Sequence, residues 1–258
     1  VVDLRNFYAQ SLGTVARRFV GQGIRAHWND VRGERIAGVG YTTPYLGIFR
    51  EDAERCLAFM PASQGVVKWP SNRPGLAALV DETELPLTDS AVDRVLLVHA
   101  LEMADDPVRL LREVWRVLSA NGRLLAVVPN RRGLWARMDT TPFGHGRPYS
   151  RSQITRILRE TMFTPKGWGE ALFVPPVQRS WFLRSAGAWE RVGPTLLSPF
   201  PGVHIVEATK QAYRAIPVRR EKRVIVPRME PALAPSAGGA ARTGFSPSAQ
   251  RTCPDGED

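Results

Sequence analysis

The 258 residues suffice for one large α/β domain with extensions, and a 43% hydrophobic share is that of a globular chain with a real core. A total of 35 Lys and Arg against 25 Asp and Glu leaves a net charge of +10, which favours anionic partners, although Arg109, Arg112, Arg116 and Arg123 are scattered along amphipathic stretches as solvated faces are. Two cysteines, Cys56 and Cys253, exclude a disulfide framework and a thiolate zinc site, and no apolar run approaches the roughly 20 residues that span a bilayer, so a cytoplasmic protein without membrane insertion is expected.

In chain order, Phe7, Leu12, Val15, Phe19 and Val20 fall near helical spacing and predict a helix, within residues 1–34, that covers a domain edge. Short apolar runs follow at residues 35–39, 56–60, 76–80, 92–99 and 123–129, separated by helix signals. This alternation predicts βαβ units and a parallel sheet of the doubly wound, Rossmann-like α/β class. Thr43 before Pro44 reads as an N-cap and first helical position. Asp105 or Asp106 can cap a helix running to about residue 118, with Val108, Leu111, Val114, Trp115 and Leu118 as its apolar stripe and Asn121-Gly122 as its stop. Ser150 with Gln153 matches a capping box ahead of Ile154, Ile157 and Leu158. Residues 211–229 form a basic extension, and residues 230–258, rich in Pro, Ala, Ser and Gly, are expected to be a disordered tail.

Gly38-Val39-Gly40 lies between a predicted strand and a predicted helix, where the backbone must turn sharply and where a helix N-terminus offers N–H groups to a ligand. A tight turn asks for the same residues. The block from Asp81 to Leu101, followed by Leu111–Leu118 and by Asn121-Gly122-Arg123-Leu124, closely resembles the central region of class I S-adenosylmethionine-dependent methyltransferases, of the methyltransferase type 11 kind. The resemblance runs from about Arg35 to about Lys210: Phe143–Gln153 resembles the loop and helix before that family's sixth strand, and Val203–Lys210 its closing strand.

The resemblance implies S-adenosylmethionine as cofactor, with Gly38, Gly40 and Tyr41 at its methionine end, Met60 and Pro61 near the ribose, and Asp81 and Glu82 beside the adenine. It implies methyl transfer to an acceptor that the sequence does not identify. Two carboxylates of the family pattern are missing: Ile36 stands where an acid commonly precedes the first glycine, and Met60 stands where an acid accepts the ribose hydroxyls. These departures motivate the alternative of a catalytically inactive scaffold or regulatory protein on the same fold. An acid placed at Met60 is expected to tighten cofactor binding.

His99, at the end of the fourth strand, is a candidate to orient the acceptor or take its proton, or else a hydrogen-bonded histidine at a strand end. His145, in the glycine-flanked loop Pro142–Tyr149, is a candidate to meet the acceptor if that loop folds over the cleft; a surface histidine in a connection is the plainer reading. His27 and His204 show no ligand spacing, so no metal is expected. Nucleic acid is weighed as a partner of Arg219, Arg220, Lys222 and Arg223, or of Arg131 and Arg132, but a solvated extension is favoured because no base-stacking aromatic series accompanies them.

Overall fold

The computed structural model describes residues 4–211 except 73, 180, 181, 183 and 197–199; the basic extension beyond residue 211 and the tail lie outside the described residues. Seven strands form one sheet: β1 (Arg35–Gly40), β2 (Arg55–Pro61), β3 (Ala77–Val80), β4 (Val92–Val98), β5 (Leu118–Pro129), β6 (Phe163–Ala171) and β7 (Val203–Lys210), in the order β3-β2-β1-β4-β5-β7-β6. The first five are mutually parallel, and β7 runs antiparallel to both β5 and β6. The five expected apolar runs are the five parallel strands.

Pleating sends alternate residues to opposite faces. Ile36, Met60, Leu96, Val98, Leu125 and Val127 face one layer, which holds the N-terminal helices α1 (Leu4–Ala9) and α2 (Ser11–His27) and the one-turn helix α3 (Thr43–Leu46). Ala37, Val39, Val95, Leu97, Leu124 and Ala126 face the other, formed by α4 (Pro107–Val117) and α5 (Arg151–Glu160). A sixth helix, α6, spans Ala186–Leu196.

The helix signals hold with corrections. Asp106 caps α4, its carboxylate accepting from the backbone N–H groups of Val108 and Arg109 at 3.1 and 3.0 Å, and Leu110, Leu111, Val114 and Val117 are fully buried. Burying each of those side chains stabilises the layer by roughly 1.5–3 kcal/mol. The helix ends at Val117, within a residue of the expected end, but Asn121-Gly122 is not its stop: Leu118 already pairs with Val92, so β5 begins there, because a buried strand edge offers the backbone a ladder that a loop does not. The Ser150–Gln153 capping box is present in full. The N-cap of α3 is Thr42 rather than Thr43, and that helix is a single turn. The N-terminal cover is two helices rather than one, and Phe7, Leu12, Phe19 and Val20 are all buried in the core.

Candidate functional site

The C-terminal edge of the parallel strands, where β1 and β4 part toward opposite layers, is where open α/β sheets bind ligands. β1 ends there at Gly40, whose φ of 89° is one that a side chain resists. A Cβ at Gly40 would overlap the Val98 carbonyl oxygen of β4, and a Cβ at Gly38 would overlap the Thr42 side chain and crowd Leu46. Both glycines are therefore demanded by the chain's packing on itself. Beside them Thr42 is fully buried, with its Oγ1 lacking a hydrogen-bond partner.

His99 follows β4 directly, with φ of 52° and 1% of its surface exposed. Its Nδ1 lies 3.1 Å from Oε1 of Glu102, itself 2% exposed, and its Nε2 lies 2.8 Å from the Tyr8 hydroxyl, which is 3.0 Å from the Tyr45 hydroxyl. A carboxylate only accepts, so His99 donates Nδ1–H to Glu102, which leaves Nε2 to accept from Tyr8 and the Tyr8 oxygen to accept from Tyr45. Burial, followed by the neighbouring Tyr45, holds the Tyr8 hydroxyl well above the usual phenol range, and burial does the same at Tyr45, so both phenols stay protonated donors. The Tyr8 ring also stacks on Tyr41, with centroids 5.5 Å apart and planes 17° from parallel. Gln64, in the connection after β2, donates its side-chain amide to the His99 carbonyl, and its Oε1 is left without a partner, as is Oε2 of Glu102.

The loop after β5 folds over this edge. Arg147 donates its backbone N–H to the Glu102 carbonyl at 2.8 Å, Tyr149 donates its hydroxyl to the Leu101 carbonyl at 3.2 Å, and the Phe143 ring stands 4.7 Å from that of His99. His145 gives its Nε2–H to the Asp139 carbonyl at 2.8 Å, so it is Phe143 that the loop brings onto His99. Tyr41 is buried, and Met60 and Pro61 are buried at the end of β2, with Met60 fully so. Asp81 is exposed just past β3, where the N–H and hydroxyl of Thr83 bond its carboxylate at 2.8 and 2.7 Å and hold it below the usual carboxylate range; Glu82 beside it is half-buried. The sequence reading missed Tyr8, Tyr45, Gln64 and Glu102. Only Glu102, three residues beyond His99, carries a local signal.

Were S-adenosylmethionine to lie as the family resemblance implies, it would fit at one end: Asp81 and Glu82 would leave carboxylates accessible to the adenine, Met60 would offer the ribose no acceptor, and the packed rings of Tyr8, Tyr41, Tyr45 and His99 would stand where the methionine goes. Three unpartnered polar atoms, on Thr42, Gln64 and Glu102, remain there to be satisfied.

Residues 21–126 match a family described as a methyltransferase domain. Over 82 residues the chain is 37% identical to a probable S-adenosylmethionine-dependent methyltransferase of Mycobacterium tuberculosis, found in two strains; the match takes in 31% of this chain and only 30% of the length of those relatives. Among solved structures, an S-adenosylmethionine-dependent methyltransferase of Thermotoga maritima superposes with a TM-score of 0.57 at 16% identity, over 80% of this chain and 94% of its own. Geranyl diphosphate C-methyltransferase from Streptomyces coelicolor, solved with S-adenosyl-L-homocysteine, gives 0.54 at 14% identity over 74% of each chain. The [4+2]-cyclase SpnF gives 0.53 at 21% identity over 76% of this chain and 81% of its own, so the same fold also carries other chemistry. Strand order and these structural neighbours give the chain the class I S-adenosylmethionine-dependent methyltransferase fold, and residues 21–126 are similar to the methyltransferase domain family.

Proposed function

We propose that the chain transfers a methyl group from S-adenosylmethionine to an acceptor not yet identified, in the cytoplasm. The observation that carries this reading is the match of residues 21–126 to a methyltransferase domain, which spans the turn at Gly38 and Gly40 at the C-terminal edge of the parallel strands. Bound there, the cofactor would supply an electrophilic methyl carbon. The chain's own part is to orient the acceptor, exclude water and hold a proton. Thr42 and Gln64 offer unpartnered polar atoms toward the methionine and ribose ends, and Asp81 and Glu82 offer carboxylates toward the adenine. Nε2 of His99 is taken by the Tyr8 hydroxyl; with that bond released, Nε2 would receive the acceptor's proton while Glu102 at Nδ1 would stabilise the imidazolium. His145 holds the overlying loop in shape through its bond to the Asp139 carbonyl.

Met60 and the filled methionine end favour one second reading, a methyltransferase-like scaffold that performs no transfer. Calorimetry with S-adenosylmethionine and with S-adenosyl-L-homocysteine separates the two. Binding below millimolar concentration supports the enzyme, and no heat at millimolar concentration of either compound rejects it in favour of the scaffold.

A further inference from the structure

On the sheet face away from Tyr8 and His99, α4 and α5 bound a groove of about 1120 Å³. Arg112 of α4 and Arg151, Arg156 and Arg159 of α5 line it, against one carboxylate, Glu160, which pairs with Arg156 at 3.7 Å. Among the described residues no carboxylate forms an ion pair with Arg112, Arg151 or Arg159. All four arginines are exposed, so their guanidinium groups face solvent in the groove. A smaller cavity of about 270 Å³ shares Arg151 and Ser152 with the groove and adds Arg132 and Asn130, just past the C-terminal end of β5, together with one carboxylate, Glu170. Arginines therefore continue from the helix pair to the C-terminal edge of the sheet, where Glu170 offsets part of their charge.

We propose that this groove binds the phosphodiester backbone of single-stranded RNA. The lining cations are all arginine, whose planar fork takes a phosphate through two hydrogen bonds, where lysine would act as a point charge. The hydroxyls of Ser152 and Thr155 stand among them as further phosphate donors. Residues 151 to 159 spread these donors over roughly 12 Å of α5 at 1.5 Å per residue, a length for a few consecutive phosphates rather than one. The Arg151 guanidinium lies 4.5 Å from the centre of the Trp168 ring, a cation–π contact of the kind arginine also makes with a splayed base. An anionic membrane is the poorer fit. The surface is concave, and among the described residues none of the large exposed apolar side chains, such as Leu79, Leu134 or Phe200, lines it.

The test is fluorescence anisotropy of a labelled 12-nucleotide oligouridylate with the full chain, titrated between 50 and 200 mM salt. Three neutralised phosphates give a log–log salt slope of about −2, at ~0.7 per phosphate of a single strand. Arg112→Gln/Arg156→Gln/Arg159→Gln, all at exposed positions, should weaken binding at least tenfold and flatten the slope to below 1. Removing the same charge from α2 with Arg17→Gln/Arg18→Gln/Arg25→Gln should leave affinity within threefold. Equal losses from the two triple variants, or a loss confined to a variant neutralised at Arg219, Arg220, Lys222 and Arg223, overturns the proposal. So does an absence of binding at 50 mM salt, or groove-dependent binding to phosphatidylserine vesicles without binding to the oligonucleotide. None of these outcomes depends on whether the cofactor binds, so this proposal and the methyl-transfer reading fail separately.

Discussion

Replacing Tyr8 by Phe removes one oxygen from the centre of the buried chain Tyr45, Tyr8, His99, Glu102. The ring stays the same shape, so stacking on Tyr41 and contact with Phe7 are kept, and the change is confined to hydrogen bonds. Two are lost, at 2.8 Å to His99 and 3.0 Å to Tyr45. Both former partners are 1% exposed or less, so neither water nor another side chain replaces the missing oxygen. A buried group left unpaired costs about 1–3 kcal/mol, so with two such groups Tyr8→Phe should destabilise the fold by roughly 2–6 kcal/mol. Tyr45→Phe deletes only the terminal donor and leaves the Tyr8 to His99 bond intact; its cost should be about 1 kcal/mol. Urea denaturation of the wild type and both variants, with m-values compared to verify two-state behaviour, reads the difference. A Tyr8→Phe cost under about 0.5 kcal/mol, or a Tyr45→Phe cost exceeding it, would refute the directional network. If the hydrogen bond from Tyr8 to His99 is what holds α1 over the methionine end, the same variant should also bind S-adenosylmethionine more tightly than wild type.

Met60→Glu, attractive from the family pattern alone, should lower stability by about 3 kcal/mol or more, because the position is fully buried among apolar side chains and a lone carboxylate there has no partner; tighter cofactor binding with unchanged stability would show instead that the ribose reaches it. Gly40→Val should cost about 3 kcal/mol through its φ of 89° and the overlap with the Val98 carbonyl, seen as a lower thermal midpoint, and a variant of wild-type stability would show that the turn is not packed as described. Acid sensitivity has a specific source in His204, which burial first and then the charge of Arg151 hold down to about 4 from 6.5. Between those values the unfolded chain binds the proton that the folded one refuses, so this contribution is present above pH 6.5, is lost as pH falls toward 4, and amounts to about 3 kcal/mol at most. His204→Gln should flatten the fall in unfolding free energy between pH 7 and pH 4.5, and an identical fall in wild type and variant would remove His204 as its source.

The parallel strands were legible in the chain because a strand covered on both faces must be apolar nearly throughout, and residues 92–98 read as such from composition alone. Capping was legible for the same local reason: Asp106 and Ser150 lie two or three residues from the N–H groups they bond. The boundary of β5 was not, since Leu118 joins the strand only because Val92, 26 positions earlier, lies beside it. The site divides along the same line. Gly38, Gly40, His99 and the glycine-flanked loop were found in the sequence, since turns and strand ends have local signatures. What fills the site was decided by tertiary structure. Tyr8 and His99 are 91 residues apart, and Tyr8 and Tyr45 are 37 apart. No pattern within a helix or strand encodes a hydrogen bond between them, because what holds α1 at the end of β4 is the burial of the N-terminal helices' apolar residues against one face of the sheet.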